Sequence, residues 1–101
     1  MTKINLTREG FREWLRFNRL IDPKKVVGYV DDTRDPICRY LRTELGIKKQ
    51  FHLDGDTLYF DATGEYYHLP DWVGRYWNHI DRRIPWGEKV TAELAFKAAN
   101  R

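Results

Sequence analysis

Apolar residues recur at helical spacing near the start of the chain. In the segment TREGFREWLRFNRLI they form one broad side, made up of Phe11, Trp14, Leu15, Phe17 and Ile21. Thr7 is suited to cap the first turn, and Pro23 disfavours helix in the residue before it. The pattern therefore predicts a first helix that starts after Thr7, stops before Pro23 and buries that side.

Three later segments also predict helices. DPICRYLRTEL starts with Asp35 as a cap and Pro36 in the first turn, places Cys38 on its apolar face and should end at Gly46. In LPDWVGRYWNHIDR the apolar residues cluster on one side of the predicted helix, and they are Trp72, Val73, Tyr76, Trp77 and Ile80. Thr91 is expected to cap a last helix, AELAFKAAN.

The segments between these helices predict strands and loops. KKVVGYV predicts a short strand, whereas RRIPWGEKV predicts a loop. In KKQFHLDGDTLYF, the pair Asp54-Gly55 favours a two-residue type I′ turn. That turn places Phe51 opposite Leu58 and Lys49 opposite Phe60.

DATG then returns the chain through EYYHL as a third strand. A length of 101 residues with 42% hydrophobic residues fits one domain over residues 1–101. We expect an α+β fold, with about four helices packed on one face of a small three-stranded antiparallel β-meander.

Charge is distributed unevenly along the chain. The formal net charge is +3, but residues 1–20 carry five cations and two anions, whereas residues 47–70 carry two cations and four anions. The first helix is therefore basic and the hairpin region acidic, which favours approach to nucleic acid or to an acidic protein. Cys38 alone excludes an internal disulfide, and no apolar run has the length of a membrane span, so we expect a cytoplasmic protein without a membrane partner.

Four arginines form a stripe beside the apolar side of the first helix: Arg8, Arg12, Arg16 and Arg19. Such a stripe can contact successive phosphates, or hold carboxylates of a protein partner in bidentate pairs. It can also be an ordinary solvated face, with Glu9 near Arg12 and Glu13 near Arg16.

The loop DRRIPWG is the second candidate contact. Arg82, Arg83 and Trp86 combine two cations with an aromatic ring, as sites for single-stranded nucleic acid and protein interfaces do. Alternatively, Ile84 and Trp86 fold back onto the core and fix the loop.

No motif in the chain predicts a catalytic, metal or cofactor site. The sequence has no serine and no phosphate-binding glycine loop, and its histidines and Cys38 lack zinc-ligand spacing. The run DGDTLYFDATGE matches only part of a calcium loop and is better explained as a hairpin. Tyr59, Tyr66 and Tyr67 are an alternative exposed binding face.

The order of several short motifs resembles a set of small bacterial and phage proteins of uncharacterised function. The motifs are Trp14-Leu15, Val27-Gly28, Pro36 to Leu41, Leu69 to Trp72 and Thr91-Ala92. Asp35 stands where that set has cysteine, and Cys38 where it has alanine. The resemblance implies a phage or mobile-element setting, and it supplies no activity that can be carried over to this chain.

Taken together, these features lead us to expect a non-catalytic binding protein. The hypothesis is a phage-type inhibitor of a host nucleoprotein machine, similar to an anti-CRISPR protein, that occupies a surface of its partner through the arginines named above and Trp86. A direct DNA- or RNA-binding module and a small enzyme with a carboxylate–histidine or Cys38–histidine pair are the alternatives.

Overall fold

Four helices and five strands lie along residues 4–100, the part of the chain that this computed structural model describes. In chain order they are α1 (Arg8–Ile21), β1 (Val26–Tyr29), α2 (Pro36–Thr43), β2 (Phe51–Asp54), β3 (Thr57–Phe60), β4 (Tyr66–His68), α3 (Asp71–Asp81), β5 (Lys89–Thr91) and α4 (Ala92–Ala99). The predicted α+β class is confirmed.

Three of the four predicted helices, α1, α2 and α4, start at a polar side chain that satisfies a backbone N–H group of the first turn. The side-chain oxygens of Thr7, Asp35 and Thr91 each accept a hydrogen bond from the N–H three residues later, at 3.1, 2.9 and 3.3 Å. Helix α2 ends at Thr43, three residues before the predicted end at Gly46. Gly46 follows with φ of +69°.

The three-stranded sheet has the order β2-β3-β4 and is antiparallel. The predicted hairpin register is wrong, since Phe51 lies opposite Phe60 and Leu53 opposite Leu58. Asp54 pairs with Thr57, so the two central residues of the turn are Gly55 and Asp56. Gly55 has a positive φ of +61° at the first central position, as type II′ turns require.

This shift moves each strand partner by two residues. Side chains alternate between the two faces of a strand, so an even shift keeps the same residues on the same face. The core face therefore still carries Phe51, Leu53, Leu58 and Phe60, all of which are buried.

A second, two-stranded sheet pairs β1 with β5. Part of RRIPWGEKV is thus strand rather than loop, since Val26 pairs with Thr91 and Tyr29 with Lys89. Among the described helices the most extensive packing joins α1 to α4, while α3 also contacts α4, and α2 contacts β1. The predicted packing of all four helices on the three-stranded sheet is therefore not confirmed.

The apolar side of α1 is only partly buried, which corrects the predicted helix face. Phe11 and Leu15 are fully buried, but Phe17 and Ile21 are 63% and 60% exposed. The cause is angular: at 100° per residue, Phe17 lies about 160° and Ile21 about 120° from Leu15 around the helix axis. Helix α4, whose alanines are buried, packs against α1 and covers only part of that arc.

Candidate functional site

Two arginines of the predicted stripe contact α4. Arg8 Nε donates a hydrogen bond to the backbone carbonyl of Ala99 at 2.9 Å, near the end of α4. Arg19 Cζ lies 4.9 Å from the ring centroid of Phe96, a cation–π contact with the same helix. Arg8 and Arg19 therefore help to hold α1 on α4.

The other two stripe arginines differ in exposure. Arg16 is exposed, and its Nη1 lies 3.7 Å from Glu13 Oε2 in a pair whose side chains are 60% and 71% exposed. Such pairs contribute little to stability, so Arg16 is available to a partner. Arg12 is half-buried, and its Nε is buried with no hydrogen-bond partner among residues 4–100.

Beside Arg16, α1 presents large apolar side chains to solvent. Phe17, Leu20 and Ile21 are 63%, 76% and 60% exposed and lie at i, i+3 and i+4 spacing. We call Arg16, Phe17, Leu20 and Ile21 the α1 ridge. Sequence periodicity missed this surface because it assigned Phe17 and Ile21 to the core; the signal that remained was Leu20, an apolar residue outside the predicted buried side.

The loop after α3 separates its predicted contact residues. Arg82 and Arg83 are exposed, and Arg83 Nη1 donates to the carbonyl of His79 at 3.3 Å. Ile84 packs against the core, but Trp86 is 65% exposed, so the fold-back alternative holds for Ile84 and is wrong for Trp86. Arg83 lines a small cavity beside α4, whereas Trp86 lines a different and larger one.

That larger cavity is an open cleft of about 450 Å³, and we call it the acidic cleft. Its main side chains are Asp32, His52, Asp54, Trp77, Asp81 and Trp86. Three carboxylates and two indoles meet there, and among the described residues neither lysine nor arginine lines the cleft. Trp77 Nε1 is buried and has no hydrogen-bond partner in the described part of the chain.

An aromatic row crosses the outer face of the three-stranded sheet, starting from the cleft. His52, Tyr59 and Tyr66 lie opposite one another on successive strands. The His52 ring stacks on Tyr59 at 5.2 Å between centroids, and Tyr59 lies 5.9 Å from Tyr66. His52 Nδ1 also lies 2.7 Å from a carboxylate oxygen of Asp61.

Tyr67 does not join this row. It lies opposite Leu58 on the core side of the sheet, and its ring meets Phe60 edge-on at 5.7 Å. The predicted face of three tyrosines is thus corrected to Tyr59 and Tyr66 with His52.

Cys38 lies in the core beside two other titratable groups. Its thiol lies 3.6 Å from the carbonyl of Asp32, and burial raises the pKa of the thiol, which disfavours the reactive thiolate. Burial also raises the pKa of Asp35 to about 7, although the N–H of Cys38 opposes the change. Burial raises the pKa of Tyr76, with the Asp35 carboxylate as a second cause.

Within residues 4–100, no three histidine, cysteine, aspartate or glutamate side chains are grouped so that they could hold a metal ion. None of the helices in this range combines the length and apolarity needed to cross a membrane. Comparison of the chain with protein-family models, curated proteins and solved structures gives no match.

Proposed function

We propose that this chain is a non-catalytic binding protein that covers a surface of a protein partner, as a phage-encoded inhibitor of a host nucleoprotein machine would. The observation that carries the proposal is the α1 ridge. Three large apolar side chains are exposed side by side, next to the exposed Arg16. Contiguous exposed apolar surface marks interaction sites, and arginine is enriched in protein interfaces.

The partner surface should be apolar with an acidic rim. Phe17 and Leu20 need an apolar counterpart, and Arg16 matches a carboxylate in fork geometry. The weak pair between Arg16 and Glu13 costs little to exchange for a new one. A protein component of a nucleoprotein machine meets these demands better than a bare phosphate backbone, which offers no apolar surface to Phe17 and Leu20.

Affinity purification from the source cells, followed by mass spectrometry, tests the proposal. The bait is the full chain, and the variants are Leu20→Glu on the α1 ridge and Leu94→Glu as a control. Leu94 is a 42% exposed leucine on α4 beside Arg83, so its replacement adds the same charge on another surface.

We expect a protein that is captured by the wild type and by Leu94→Glu but not by Leu20→Glu. Equal capture by both variants contradicts a role for the α1 ridge. Sedimentation of the purified chain distinguishes a further outcome: a wild-type dimer that Leu20→Glu converts to a monomer makes the ridge a contact between copies, and the proposal fails.

Direct nucleic-acid binding is a second candidate, favoured by the aromatic row. Bases stack on aromatic side chains exposed on a sheet, and Tyr66 is 60% exposed there. The carboxylates of Asp54, Asp61 and Glu65, however, lie on or beside the same sheet and repel phosphates. Retardation of single-stranded RNA or DNA at low salt that Tyr66→Ala abolishes would support this candidate; no retardation would remove it.

A further inference from the structure

We propose that the acidic cleft binds an arginine side chain presented by a basic peptide segment. Carboxylates and indole rings converge there in a cavity of about 450 Å³, which is within the usual range for ligand sites. The proposal goes beyond the function proposed above and does not depend on the α1 ridge, because the two surfaces have no residue in common.

The charge of the cleft selects a cation. Asp32 comes from the loop after β1, Asp54 from the end of β2 and Asp81 from the end of α3, so three distant segments place carboxylates around one cavity. Within residues 4–100, no lysine or arginine lines it to neutralise them. A phosphate or carboxylate ligand would be repelled, whereas a guanidinium gains charge-assisted hydrogen bonds.

The aromatic walls favour guanidinium over a simple ammonium. Trp86 is 65% exposed although it belongs to a small domain with a limited core, and it faces the same cavity as Trp77. A planar guanidinium stacks on an indole while it forms paired hydrogen bonds with a carboxylate, and an ammonium does only part of this.

The neighbouring three-stranded sheet favours a peptide over a free small molecule. His52 both lines the cleft and begins the aromatic row that continues through Tyr59 to Tyr66. An extended chain with its arginine in the cleft can therefore lie across this row.

Nuclear magnetic resonance of the full chain with blocked Gly-Arg-Gly as the probe tests the proposal. We expect saturable shifts of the indole N–H signals of Trp77 and Trp86, weaker shifts with Gly-Lys-Gly, and none with Gly-citrulline-Gly. Trp86→Ala should lower the association constant about two- to fivefold. The double variant Asp54→Asn with Asp81→Asn should lower it about fivefold.

Glu44→Gln is the matched control, because it removes an exposed carboxylate at the end of α2 that belongs to neither the cleft nor the aromatic row, and it should leave binding unchanged. Failure of both indole signals to respond would overturn the proposal, as would equal shifts with the citrulline peptide. Equal affinity for blocked free arginine and for Gly-Arg-Gly would overturn the assignment to a peptide. Each variant's amide spectrum shows whether it is folded.

Discussion

Replacing Asp35 by asparagine should change how the stability of this chain depends on pH. Asp35 is 1% exposed, caps α2 through one carboxylate oxygen, and leaves its other oxygen buried without a hydrogen-bond partner among the described residues. Asparagine caps helices as well as aspartate does, and its amide is neutral at every pH. The substitution therefore removes the buried charge and keeps the hydrogen bond to the N–H of Cys38.

The magnitude follows from the carboxyl's pKa. Burial raises the pKa of Asp35 from its ordinary 3.8 to about 7 in the folded chain. Between these values the folded chain holds a proton that the unfolded chain has released, so the free energy of unfolding falls as pH rises. A difference of about 3 in pKa corresponds to about 4 kcal/mol. This stability is fully present below pH 3.8 and is lost as pH rises through about 7.

Urea unfolding of wild type and Asp35→Asn, followed by tryptophan fluorescence from about pH 4 to pH 8, measures the effect. Other carboxyl groups titrate alike in both proteins, so their contributions cancel in the difference. We expect similar stability near pH 4 and an advantage for Asp35→Asn that grows to about 4 kcal/mol near pH 8. A difference that stays constant over this range would refute the reasoning.

Three further substitutions test the fold. Gly28→Ala would place a Cβ 2.6 Å from the backbone nitrogen of Pro36, so we expect a loss of about 3 kcal/mol in urea unfolding; a wild-type midpoint would contradict this close packing. Burial pulls the pKa of Asp31 up, but hydrogen bonds from Arg34 and the backbone outweigh it and lower the pKa. Asp31→Asn should therefore destabilise the chain at neutral pH, and this loss should shrink as pH falls from 3.8 through the lower pKa of the folded chain; an equal loss at neutral pH and in strong acid would count against this assignment. Thr91→Ala removes the α4 cap and should cost about 1 kcal/mol, and circular dichroism melting would show no change if the cap is unimportant.

Local signals in the sequence predicted the parts of the fold that local contacts determine. Thr7, Asp35 and Thr91 cap helices because each bonds to a backbone N–H three residues away, and such a contact is visible in a short window of sequence. The burial of Cys38 followed from its helical spacing with Ile37 and Leu41, and all three are fully buried. The separation of a basic first helix from an acidic hairpin was also evident.

Contacts between segments far apart in the chain determine the features of the fold and of the site that the sequence did not predict. Strand β5 is three residues long and is defined by pairing with β1, whose residues lie 60 to 65 positions before their partners. Periodicity gave α1 a wide apolar side, but the positions of the other helices around α1 determine that Leu15 is buried and Phe17 is exposed. The acidic cleft was beyond sequence reasoning because Asp32 and Asp81 come from separate segments, and nothing local indicates that they meet at Trp86.

Photo-cross-linking in the source cells tests the central claim most directly. A photoreactive phenylalanine replaces Leu20 in one protein and Leu94, on α4, in the control. If the α1 ridge covers a partner surface, irradiation should yield one dominant cross-linked protein from position 20 and not from position 94. A product formed only from position 94, or none from position 20, would contradict the account.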